Sequence, residues 1–160
     1  MKNLIYLTLI TLFMLSCNSD TNNNNSFEYL NRNIEFTISS TNGVDLLNPN
    51  NTNAYLEGNI KIFNLINENI VEAYNQNADN PRDFRIVSPE NSGDERYYIR
   101  VFINNPKTEN AITYIKWNET ETDTIKSNST VDGKILTQAW YNNELIFDEN
   151  TNNLPEIIKN

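Results

Sequence analysis

Arg96–Ile103 reads RYYIRVFI, and this stretch decides the fold class. Tyr97, Ile99, Val101 and Ile103 fall on one side of an extended chain, and Tyr98, Arg100 and Phe102 on the other. That is the period of two which a β-strand imposes. Asn104-Asn105-Pro106 ends the run, because proline has no N–H to give to a sheet. Working outward, the same period recurs on both sides. Ile34, Phe36 and Ile38 alternate with Glu35 and Thr37. Gly58–Ile66 (GNIKIFNLI) leads through Asn67-Glu68-Asn69 into Ile70–Tyr74, whose short length and bounding turns favour a strand over a helix. Phe84–Val87, Ala111–Trp117, Thr122–Lys126, Lys134–Tyr141 and Glu144–Phe147 complete the set. Asn142-Asn143 makes a two-residue connection suited to a type I′ turn, since Asn tolerates positive φ. No long amphipathic pattern and no fixed-period repeat intervenes. The pattern predicts an all-β, immunoglobulin-like β-sandwich of about seven to nine short antiparallel strands over residues 27–150, with 151–160 as a C-terminal tail.

Ahead of the patterned region lies a segment of different chemistry. Lys2 is followed by uncharged Leu4–Leu15 (LIYLTLITLFML) and then Ser16-Cys17. At about 1.5 Å per residue this run makes a helix of roughly 18 Å, too short for a ~30 Å hydrocarbon core. A basic start, a short apolar run and a small residue before the break mark residues 1–16 as a secretory signal. The chain's one cysteine falls at the expected cleavage point, as in the lipobox of bacterial lipoproteins, which this stretch resembles. In that group the cysteine thiol takes a diacylglyceryl group and becomes the first mature residue. The resemblance makes Cys17 the lipid attachment site and the membrane a partner, and two or more acyl chains give stable anchoring. Residues 17–26 then read as a lipidated Cys and a flexible Asn-rich tether, because NSDTNNNNS has no apolar residue to offset ordering entropy.

Composition excludes several classes of chemistry. The 160-residue chain has no histidine, 12 basic and 21 acidic side chains, and a net charge of -9. Loss of the signal removes one lysine and no acid, leaving -10. Without His there is no imidazole for a catalytic triad or for zinc. One cysteine forms no internal disulfide or thiolate cluster. The acidic balance argues against nucleic-acid binding, which depends on Lys and Arg to neutralise phosphates. Asparagine supplies 32 of the 160 residues, an excess divided between tether, turns and the bias of an AT-rich genome.

Three further stretches carry a family resemblance: Asn42–Pro49 (NGVDLLNP), Trp117–Lys126 (WNETETDTIK) and Trp140–Phe147 (WYNNELIF). Together they resemble uncharacterised small lipoproteins of the Bacteroidetes. That group carries a Gly-x-Asp-Leu-Leu-(Asn or Asp)-Pro segment, an Asp-Thr-Ile pair and a closing Trp-Tyr-Asn-Gly hairpin; here Asn143 stands in place of the last Gly. The resemblance implies a lipid-anchored β-sandwich in the cell envelope, at the outer membrane, with the periplasmic or surface side left open. It supplies no activity.

Candidate chemistry is sparse. Asn75, Asn77 and Asp79 begin like a calcium loop, but Asn80 and Ile86 occupy the places of its Gly and its bidentate Glu, so a polar turn is expected. Asp45 with Asn48, Asn50, Asn51 and Asn53 suits either calcium or Asx-turns. Glu119, Glu121 and Asp123 alternate on one face and read as a solvated strand edge; paired carboxylates for glycoside hydrolysis would need a facing acid. Nucleophile and phosphate-loop motifs are missing. Trp117, Trp140, Tyr98 and Tyr141 either fill the core or form an exposed sugar-stacking platform. The expectation is therefore a non-catalytic binding or interaction module with a glycan or envelope-protein partner, and without metal or cofactor. Its alternatives are a carbohydrate-binding accessory lipoprotein and, more distantly, a carboxylate-dependent hydrolase.

Overall fold

The alternating pattern folds into two sheets that bury one apolar face each. The computed structural model describes residues 31–159, so the signal-like segment 1–16, Cys17 and the tether 17–26 lie outside the described residues. One sheet contains β1 (Asn33–Ser40), β4 (Phe84–Val87), β5 (Tyr98–Phe102) and β10 (Glu156–Lys159), in the order β10-β1-β5-β4. The other contains β2 (Lys61–Ile66), β3 (Asn69–Glu72), β6 (Ala111–Lys116), β7 (Thr122–Ser129), β8 (Leu136–Tyr141) and β9 (Glu144–Asp148), in the order β3-β2-β6-β7-β8-β9. A single helical turn, α1 (Pro89–Ser92), ends at Gly93 with φ of 80°, the left-handed cap that glycine adopts without a Cβ clash. The described residues form an all-β sandwich, as the period-two pattern predicts.

The core forms where the two inner faces meet. Ile34, Phe36 and Ile38 of β1, Ile99 and Val101 of β5 and the adjacent Ile103 pack with Ile62, Ile115, Trp117, Ile125 and Ala139 from the other sheet. The Phe36 ring meets the Tyr141 ring edge-on, with centres 5.4 Å apart, and so joins β1 to β8 across the sandwich. Each large side chain buried in this way contributes about 1.5–3 kcal/mol.

Two expectations need correction. The described residues hold ten strands rather than seven to nine. In addition, residues 151–160, expected as a tail, contain β10, which pairs parallel with the second half of β1 from Thr37↔Glu156 to Ser40↔Lys159. The first half of β1 pairs antiparallel with β5. Strand β10 escapes a pattern-based reading because it is four residues long and buries Ile157 while leaving Ile158 exposed. The strand expected at Ile70–Tyr74 forms instead over Asn69–Glu72 as β3, and all four of its residues are exposed.

The two-residue turns of the β2–β3 and β8–β9 hairpins use positive φ without glycine. Asn142 and Asn143 have φ of 47° and 74°, and Asn67 and Glu68 have 48° and 66°. Glu68 is the more strained, since Asn visits this region at lower cost than other L-residues. Glu68→Gly is therefore expected to stabilise the fold by roughly 0.5–1 kcal/mol and Asn143→Gly by less, read as the urea midpoint at constant slope. A lower midpoint for Glu68→Gly would contradict the strain assigned to this turn.

Candidate functional site

Asp123 sits on β7, in phase with Ile125 and Ser127, and all three are buried. Strand β7 lies between β6 and β8, so this face points into the sandwich. A buried carboxylate is costly unless each oxygen finds donors, and here four arrive. The Trp117 indole Nε1–H donates to Oδ2 at 2.6 Å, and the Tyr141 hydroxyl and the Lys159 ammonium donate to the same oxygen. Asn142 Nδ2 donates to Oδ1 at 2.6 Å. The positions follow from local structure: Trp117 follows β6, Tyr141 ends β8, Asn142 opens the β8–β9 turn, and Lys159 ends β10.

Glu121 supplies a second carboxylate to the same ammonium. Lys159 Nζ lies 2.7 Å from its Oε1, and the Tyr55 hydroxyl donates to its two oxygens at 2.9 and 2.8 Å. The Tyr55 and Trp117 rings are 4.8 Å apart and tilted by 31°. Lys159 Nζ stands 5.7 Å from the Trp117 ring centre and 5.6 Å from that of Tyr141, within the range of cation–π attraction. The side chains of Asp123 and Lys159 are 9% and 13% exposed. One ammonium is thus enclosed by two carboxylates and two aromatic faces.

Burial and hydrogen bonding shift the titration of Asp123, Tyr141 and Tyr55. Burial alone would raise the Asp123 carboxyl. The hydrogen bonds from Lys159, Tyr141 and Asn142, with the charge of Lys159, outweigh burial and hold it below its ordinary value. The Tyr141 hydroxyl is pushed far up, first by burial and then by its bond to the Asp123 carboxylate. Tyr55 is pushed up by burial and by Glu121. A charged acid beside neutral phenols suits holding a cation. Glu121 and Asp123 converge on one ammonium rather than facing each other across open space, the arrangement glycoside hydrolysis needs. Among the described residues no group of three or more His, Cys, Asp or Glu is placed to hold a metal ion.

The acidic triplet separates by burial, which corrects the solvated-edge expectation. The Glu119 side chain is 93% exposed and pairs with Lys116 at 3.0 Å, whereas Asp123 is buried because its strand is central in the sheet. Trp117, Tyr98 and Tyr141 are buried and Trp140 is half-buried, so the four aromatics share no exposed platform. Lys126 Nζ lies 5.3 Å from the Trp140 ring centre. In the Asp45 loop, Oδ1 accepts the Leu47 N–H at 2.9 Å and Oδ2 accepts the Tyr97 N–H at 3.1 Å. Both oxygens therefore serve the backbone, as an Asx-turn does. Asn75 likewise accepts the Asn77 N–H at 3.1 Å in a polar turn. Cys17 lies outside the described residues. Sequence reasoning missed Tyr55, Asn142 and Lys159. Comparison with protein-family models, with curated proteins and with solved structures finds no match to this chain.

Removing Asp123 leaves Lys159 with Glu121 as its one carboxylate and takes the acceptor from the Trp117 N–H and the Tyr141 hydroxyl, so Asp123→Ala is expected to cost about 3–5 kcal/mol in chemical denaturation. The linkage runs toward acid. Because the folded carboxyl lies below its ordinary value of 3.8, its stabilisation is complete above that value and is lost as pH falls through the folded one. Wild type should therefore lose stability below about pH 4, and Asp123→Asn should flatten that part of the profile. Identical acid profiles for the two proteins would contradict the assignment.

Proposed function

We propose that this chain is a lipid-anchored protein of the bacterial cell envelope whose β-sandwich works as a non-catalytic binding or interaction module. The observation that carries the reading is the order of segments. A basic residue, a short apolar run and Ser16-Cys17 precede an apolar-free stretch, and the patterned chain follows. A lipid on Cys17 with a nine-residue spacer at 18–26 suits a domain held near a membrane yet free to turn. The lipobox-like end of the signal and the three stretches that resemble small Bacteroidetes lipoproteins support an outer-membrane location. A non-catalytic role is supported by the way Glu121, Asp123 and Lys159 are bonded to one another inside the fold. Of Trp117, Trp140, Tyr98 and Tyr141, the one with a face left for a glycan partner is the half-buried Trp140, shared with Lys126.

Cys17→Ala in the native host is expected to abolish fatty-acid labelling and move the protein out of the membrane fraction. Labelling and membrane association that survive the substitution would overturn the anchor.

A further inference from the structure

Lys159 is held as a host holds a guest. Pairing a structural lysine takes one carboxylate, but this ammonium meets two, Glu121 and Asp123, between the faces of Trp117 and Tyr141. With Tyr55 tilted against Trp117, the rings supply cation–π attraction and the two carboxylates accept the N–H donors that a primary ammonium has and a quaternary one lacks. The two carboxylates also share a single counter-charge here, so the cage keeps its attraction for cations. Alongside it a cleft of about 320 Å³ runs between β10 and the β8–β9 hairpin, lined by Tyr141, Asn142, Glu144, Ile157 and Lys159. That size lies at the lower end of small-molecule sites. Lys159 ends β10, so its side chain can leave the cage while the strand stays paired with β1, Ile157 stays buried and Glu156 keeps its bonds to Arg96 and Ser39. Residues 149–154, which lead into β10, are exposed.

We propose that this cage is a binding site for a primary alkylammonium group, occupied in cis by Lys159. Its ligand class is a primary amine on an unbranched alkyl stem, either a lysine side chain or a free alkylamine, which enters along the cleft when Lys159 swings out. The inference does not depend on the lipid anchor. Occupation in cis lowers the apparent affinity for an external amine by the fraction of time the cage stands empty.

Chemical rescue tests this directly. In the full chain carrying Lys159→Ala, thermal unfolding is followed with n-butylammonium, Nα-acetyl-lysine methylamide, n-butanol or tetramethylammonium, each at on the order of 50 mM. The expected result is a lower Tm that n-butylammonium raises saturably by about 4–8 °C. The neutral alcohol and the bulky quaternary ion leave it unmoved, and a further Asp123→Asn abolishes the gain. Wild type, with Lys159 in the cage, should respond only at amine concentrations far above those that rescue Lys159→Ala. Rescue by the lysine derivative as well assigns the site to lysine side chains, and rescue by n-butylammonium alone assigns it to small free amines. A shift no larger than with n-butanol, or an equal response in wild type, would overturn the proposal. Should Lys159→Ala fail to fold unaided, the folded fraction recovered on refolding with n-butylammonium against n-butanol gives the same decision.

Discussion

The rest of this structure depends on the ion pair between Lys159 and Asp123, because it joins elements that have little else in common. Asp123 belongs to the centre of the six-stranded sheet and Lys159 to the edge of the four-stranded one. Desolvating both charges costs several kcal/mol per ion, which Coulomb attraction recovers only when the other lone pairs and protons are satisfied. The donors that complete the account are Trp117, Tyr141 and Asn142. Each stands at a strand end or turn, so the network closes one end of the sandwich. Tyr141 then passes the constraint to Phe36 through their edge-on ring contact.

Strand β10 follows from that anchorage. Its pairing with β1 is the parallel one among the described strand pairs, and a four-residue parallel edge is weak by itself. Glu156 bonds to Arg96 and Ser39, and Lys159 fills the cage, so the strand is pinned at both ends by charge. With β10 docked, Thr37 and Ser39 of β1 are buried, and the Thr37 and Thr41 N–H groups donate to the carbonyls of Pro155 and Lys159. The polar network and the edge of the sheet are one device.

Much of this was legible in the chain, and the gaps have physical causes. RYYIRVFI declares β5 because its two faces differ in character and its end is marked by proline. Trp117 could be placed in the core from its phase with Thr113 and Ile115, both fully buried. Asp123 carried a usable signal too: its phase with Ile125 and Ser127 puts it on the inward face of a strand, which outweighs its membership of an acidic run. Lys159 carried none. Period-two reading needs several alternations, and β10 offers Ile157 alone; its partner strand lies at the other end of the described chain. Tyr55 was hidden for a related reason, since it sits in an irregular loop whose backbone is tied to Leu46. Polar sites assembled from loop residues and strand ends are set by tertiary geometry, which local periodicity does not encode.

The most direct measurement of the central claim is amide hydrogen exchange at Thr37 and Thr41, whose N–H groups reach across to β10, compared with Ile103, whose N–H donates to Arg32 at 2.7 Å. If the Lys159–Asp123 pair holds β10 in place, Lys159→Ala should speed exchange at Thr37 and Thr41 by roughly tenfold or more relative to Ile103, as local opening falls below global unfolding. Exchange that rises equally at all three amides, or not at all at Thr37 and Thr41, would contradict the account.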